Sequence, residues 1–132
     1  MANLMRAWGP AAAWAMVLFL LSAWQNPTLP AWVTSYDKLA HAGLYGVLGM
    51  ALGYGRHHDV SPPPHFVLLA VGAIYGATDE WHQAFVYGRT PGWGDWTADM
   101  VGVTLGYVAA LFILSRVAGL ATPTGPSAHV PD

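Results

Sequence analysis

Residues 97–117 read Thr-Ala-Asp-Met-Val-Gly-Val-Thr-Leu-Gly-Tyr-Val-Ala-Ala-Leu-Phe-Ile-Leu-Ser-Arg-Val, with Asp99 and Arg116 as the only charges. A transmembrane helix takes roughly 17–25 largely apolar residues to cross a hydrocarbon core about 30 Å thick. This stretch has that length and composition, and it decides the fold: one such segment calls for others of its kind. Upstream, apolar runs from Ala7 to Trp24, from Leu39 to Tyr54 and from Phe66 toward Val86 are separated by polar or proline-rich pieces. The reading is an all-α integral membrane bundle of four transmembrane helices, placed at about 7–24, 37–54, 65–86 and 96–117. Together they make one domain over 1–120, followed by a disordered tail over 121–132 that is rich in Pro, Thr, Gly and Ser.

Composition supports this. The 132 residues are 55% hydrophobic and 9% charged, against about 25% charged for ordinary soluble domains. Seven acidic and five basic residues cannot coat a water-facing surface. So few Lys and Arg give no field for nucleic acid. The absence of cysteine excludes a disulfide framework, thiolate-bound zinc and a thiol nucleophile. The first segment begins like a signal peptide, but its apolar core exceeds the roughly 7–15 residues of one, and Trp24-Gln25 makes a poor small-residue cleavage site. It is read as a retained anchor.

With four spans, Arg6, Arg56 and Arg116 fall on one side and Lys38 and Arg89 on the other. Positive charge favours the cytoplasm, so both termini are placed there, in a multi-pass protein of the bacterial inner membrane.

The same alternation carries the start of the second helix, the end of the third and the start of the fourth to the outer face. Five of the seven acids lie there: Asp37, Asp79, Glu80, Asp95 and Asp99, with Lys38, His41, His82, Gln83 and Arg89. Glu80 stands about 21 Å along its helix from Phe66, and His41 and Asp99 lie about 6 Å inside theirs, at 1.5 Å per residue. Three helices thus bring ionisable groups to a shared level. Asp37, His41 and Tyr45 recur at i, i+4, i+8 and share a face; Glu80 and Gln83 are neighbours at i, i+3; Asp95, Asp99, Gly102 and Gly106 form a third stripe. Gly49/Gly53, Gly72/Gly76 and Gly102/Gly106 have the spacing that lets helix backbones approach in lipid.

Charge inside a membrane is costly and must be paired, protonated, hydrated or bound to something. Lys38 and Arg89 offset at most two of the five carboxylates. The remainder calls for a protonated histidine, a carboxyl that keeps its proton, or a bound cation.

The blocks Asp37-Lys38-x-x-His41-x-x-x-Tyr45, Asp79-Glu80-x-x-Gln83-x-Phe85-x-x-Gly88-Arg89 and Asp95-x-x-x-Asp99-x-x-Gly102-x-x-x-Gly106 resemble, in that order, the VanZ-like family. These are small bacterial membrane proteins named for a member linked to teicoplanin resistance. The resemblance runs over about residues 35 to 115. It implies four or more membrane helices with these blocks on helices 2, 3 and 4, but no accepted reaction. The chain departs from it at Tyr87, where many relatives have proline before Gly-Arg, and at Asp99, where asparagine is common.

The expected function is recognition of a membrane lipid headgroup or lipid-linked cell-wall precursor at the outer face. Lys38, His41 and Arg89 would meet phosphate, since Arg grips it in a bidentate fork and Lys as a point charge. Tyr45, Gln83, Asp95 and Asp99 complete the ligand set, and a divalent cation is possible but not required. A hydrolytic version would use His41 with Asp37 or Glu80 as base and orienting carboxylate. The sequence, however, carries no His-Glu-x-x-His or Walker motif. Two other readings stay open: proton-coupled transport, and ion pairs that only fasten helices. Trp24, Trp32, Trp81, Trp93 and Trp96 read as an interfacial belt. Pro91-Gly92-Trp93-Gly94 reads as a re-entry turn, His82 as an interfacial residue, and His57, His58 and His65 as a solvated loop.

Overall fold

The stretch that opened the reading lies in the longest helix, α4 (Trp93–Ala121), preceded by α1 (Ala2–Ser22), α2 (Asp37–His58) and α3 (His65–Gln83). The computed structural model describes residues 2–25 and 36–121; among these there are four helices and no strand. The protein is all-α. The tail over 122–132 and Trp32 lie outside the described residues.

Glycine sets the central packing. α2 and α4 run parallel in close contact. A Cβ at Gly102 or Gly106 would strike the backbone carbonyl of Ala42 or Gly46, and one at Gly49 that of Val103. At Gly53 it would come within 2.7 Å of the Ala110 Cβ. Side chains of any size would force the two backbones apart. Gly72 of α3 similarly gives way to Val103, whose Cγ1 would lie 2.7 Å from an added Cβ. The three glycine pairs read from the sequence are all packing surfaces. Around them Leu18, Leu48, Leu52, Leu68, Val103 and Tyr107 form the apolar core.

α1 packs chiefly on α2 and α3 chiefly on α4, both antiparallel to the central pair. Indole N–H groups tie the layers: Trp14 donates to the Leu44 carbonyl at 2.8 Å and Trp96 to the Ala73 carbonyl at 3.1 Å. Trp96 is therefore a clamp between α3 and α4 as well as a residue near the interface. Trp24, Trp81 and Trp93 stay exposed, as a belt requires.

Two helices, α1 over Asn3–Ser22 and α4 over Trp93–Leu120, are long and apolar enough to cross a membrane. α2 and α3 do not meet that measure. α2 carries Asp37, Lys38 and Arg56 and glycines at 43, 46, 49, 53 and 55, and α3 ends on Asp79 and Glu80. Little of either apolar helix is covered: 17% of the α1 window and 28% of the α4 window are buried. Leu105, Val108, Phe112 and Ile113 face outward. A broad uncovered apolar surface is what a membrane solvates, so the fold is compatible with a membrane protein.

The boundaries differ from the expected ones where turns intervene. α3 stops at Gln83, not near Val86, and the reversal centres on Gly88 at φ 81°, a left-handed conformation that glycine adopts without strain. Pro91–Gly94 is thus not the turn. The Gly92 carbonyl accepts from the amides of Asp95 and Trp96 at 3.0 and 3.2 Å and starts α4. At the other end, α2 continues to His58 and α3 begins at His65. His57, His58 and His65 are helix-end residues, not a loop.

Candidate functional site

Helix direction brings the start of α2, the end of α3 and the start of α4 together, as topology required. Their polar residues do not share one chamber, however. They divide into a pocket, a buried wall and a rim, and His41 belongs to the first two.

The pocket, of about 210 Å³, lies among α1, α2, α3 and the turn after α3. Leu18, Leu21, Leu44 and Trp24 make its apolar side; Asp37, His41, Tyr45, Asp79, Gln83 and Arg89 its polar side. The i, i+4, i+8 face of α2 lines it as expected. The buried Tyr45 hydroxyl donates to Asp79 Oδ2 at 2.9 Å, and Gln83 Nε2 donates to the same oxygen at 3.4 Å. The partner of Gln83 is therefore Asp79 at i−4, and not Glu80 at i−3. Asp79 is central here although the sequence reading left it out of the ligand set; its i, i+4 spacing to Gln83 was the missed signal. Arg89 donates from an Nη to the Leu21 carbonyl at 3.0 Å, and its Nε has no partner. Among the described residues it makes no salt bridge to a carboxylate, contrary to the compensating role expected of it.

The wall lies between α2, α3 and α4. His41 Nδ1 and Asp99 Oδ1 are 2.9 Å apart, with Asp99 wholly buried, so one of the two carries the shared proton. Glu80, also buried, accepts from the Gly92 amide at 2.8 Å through Oε2. It thereby pins the amino end of α4, where the helix dipole favours a carboxylate. One donor atom each from His41, Glu80 and Asp99 lie within 4.8 Å of one another. Glu80 Oε1 and Asp99 Oδ2 are buried without hydrogen-bond partners. Gly76, one turn before Glu80, packs against Asp99 and Trp96: an added Cβ would meet both at ordinary contact distance, 3.5 Å from Asp99 Oδ2.

The rim holds Lys38, whose Nζ donates to Asp95 Oδ1 at 2.9 Å with the lysine largely exposed. Lys38 and Asp95 do not line the pocket, which separates them from Arg89 and corrects the expectation of one cationic cluster. Asp37 is exposed at the pocket mouth, and a more exposed set of Asp37, His41 and Asp95 also falls within 4.8 Å. His82 stacks near Phe19, ring centroids 5.0 Å apart. On the other side of the wall, an apolar cleft of about 390 Å³ is lined by Glu80, Trp81, Gly92, Trp93 and Trp96.

At the opposite end Asp59 is partly exposed. The Ser61 amide, then the Trp8 indole, hold its carboxyl below the ordinary carboxylate value.

The arrangement supplies a guanidinium without a carboxylate partner among the described residues, in an amphiphilic pocket, and two buried carboxylates with a histidine beside it. A protein-family model described as VanZ/LLP1 matches residues 3–114. No curated protein and no solved structure gives a match.

Proposed function

The chain belongs to the VanZ-like family, and from that premise we propose that it is a four-span inner-membrane protein that recognises the phosphate-bearing headgroup of a lipid or lipid-linked cell-wall precursor at the outer face. Both termini are cytoplasmic in this reading. The short polar turns of α2 and α3 lie at the interface level, and their buried faces are shielded by α1 and α4.

One observation carries the proposal. Arg89 lines a pocket with an apolar flank while its guanidinium is held by a backbone carbonyl and, among the described residues, by no carboxylate salt bridge. A positioned but unneutralised Arg suits a phosphate oxygen; Leu18, Leu21, Leu44 and Trp24 suit the adjoining hydrocarbon. Gln83 and Tyr45, locked on Asp79, give the pocket a fixed polar floor. Beyond Tyr45 the α2–α4 seam is Gly, Val, Ala and Tyr107, whose hydroxyl is already paired with His65, which offers a transported ion few stepping stones. Glycopeptide resistance is the physiological form of the proposal, since that drug class acts on surface-exposed lipid-linked precursors.

Native mass spectrometry of detergent-purified protein tests this reading. A phospholipid or lipid-linked precursor is expected on the wild type and not on Arg89→Ala, with both proteins accumulating equally in the membrane. Equal lipid on both, or none on either, overturns the reading. Loss of the Arg89→Ala protein itself assigns the residue to fastening helices. A reporter fused after Asp132 is expected to read cytoplasmic; a periplasmic signal inverts the address of the site.

A further inference from the structure

Three features of the wall point to something the hydrogen bonds do not supply. Asp99 and Glu80 are 0% and 8% exposed, and each keeps one oxygen without a hydrogen-bond partner among the described residues. The two lysine or arginine side chains at this end are engaged elsewhere, Lys38 on Asp95 and Arg89 on the Leu21 carbonyl. The third donor, His41, is an imidazole and not another carboxylate. Unpaired buried charge is costly enough that proteins pair it or coordinate a metal with it.

We infer that His41, Glu80 and Asp99 form a binding site for one divalent transition-metal cation. Two carboxylates and a neutral imidazole around a dication sum to zero charge, which removes the deficit that the protein's own cations leave. Mixed nitrogen and oxygen donors favour Zn²⁺ or Mn²⁺ over Mg²⁺ and Ca²⁺, which take oxygen alone. Donor atoms within 4.8 Å of one another draw in by small side-chain movements to bonds of about 2.0–2.2 Å. Glu80 Oε2 stays on the Gly92 amide as an outer-shell anchor, the kind of contact that orients a metal ligand. The rim set of Asp37, His41 and Asp95 is the weaker competitor, because Asp37 is exposed and Asp95 is already held by Lys38. The ion would stand in the partition between the pocket, which His41 lines, and the aromatic cleft, which Glu80 lines.

The site is independent of the headgroup reading, and its test contains no lipid. Full-length protein in detergent is stripped with a chelator and titrated with Zn²⁺, Mn²⁺ and Mg²⁺ by calorimetry. One equivalent of Zn²⁺ or Mn²⁺ is expected on the wild type. Asp99→Asn and Glu80→Gln, which keep side-chain size and hydrogen bonding, are expected to weaken it by more than the about 10–100-fold of an outer-shell change. The double variant His57→Gln/His58→Gln is expected to bind as the wild type does. A wild type that binds neither ion, an Asp99→Asn protein that binds equally, or a site lost with His57 and His58 overturns the inference. Should the carboxylate variants fail to fold, Co²⁺ on the wild type decides. A visible spectrum displaced by Zn²⁺ and absent in His41→Gln supports the site, and its absence in the wild type overturns it.

Discussion

The bundle has two polar ends of opposite character. At one end Arg56 donates to the Pro63 carbonyl, His58 Nδ1 lies 2.9 Å from the Tyr54 carbonyl, and His65 Nδ1 lies 2.8 Å from the Tyr107 hydroxyl. Asp59 takes the Trp8 indole and the Ser61 amide. These groups sit at helix termini, where backbone carbonyls and solvent satisfy them. At the other end Asp79, Glu80 and Asp99 lie a turn or more inside their helices and are buried. There a tyrosine, a glutamine, a histidine and one amide serve three carboxylates, and two oxygens go without. A polar residue at a helix end dissolves into its surroundings. The same residue one turn deeper must find a partner on another helix.

The largest predicted effect strikes the frame that sets both ends. Gly106→Leu drives a side chain into the Gly46 carbonyl and is expected to exceed the about 1–3 kcal/mol of ordinary overpacking. Fluorescence-detected size exclusion should show loss of the folded species; a normal peak would mean that the seam is looser than described. A matched pair then compares the ends directly. Tyr45→Phe strips a buried carboxylate of its closest donor and should cost about 1–3 kcal/mol, whereas Tyr107→Phe leaves only an exposed histidine to rehydrate and should cost about 0.5–1.5 kcal/mol. Thermal melts in one detergent measure both, and equal losses would erase the contrast. Lys38→Met removes an exposed ion pair, which solvent screens, and is expected to leave the melting temperature close to that of the wild type. A clear drop would place Lys38 in the interior.

The smallest effect is a pH effect. The folded-state value of Asp59 is lowered by the Ser61 amide and then Trp8. Its stabilising contribution is therefore full above the ordinary carboxylate value of 3.8 and fades as pH falls through the lower folded value. Asp59→Asn should flatten only that acid limb of the melting profile. A change near neutral pH would contradict the assignment.

Several parts of the site were legible in the chain. The face of Asp37, His41 and Tyr45 follows from helical spacing alone, and so does the stripe of Asp99, Gly102 and Gly106, because 3.6 residues per turn fixes which side chains lie above one another. Convergence of three helix ends followed from alternation. Partner choice did not. Asp79 and Glu80 are adjacent, so about 100° of rotation sends one to Tyr45 and the other to α4, and no periodicity says which. Arg89 could not be separated from Lys38 by charge counting, since only the turn at Gly88 carries it back to α1.

By itself the sequence determined an all-α chain of apolar helices with its acids gathered at one end; of the four spans it suggested, two helices are long and apolar enough to cross a membrane. Hydropathy and helical pitch are local properties, and they suffice for that. The tertiary structure decided that those acids are divided among a pocket, a buried wall and a rim, that His41 belongs to both pocket and wall, and that Glu80 and Asp99 each keep a buried oxygen without a partner among the described residues. These depend on how closely glycine lets α2 and α4 approach and on how the turn after α3 rotates the chain into α4, distances and angles set by contacts between residues far apart in sequence.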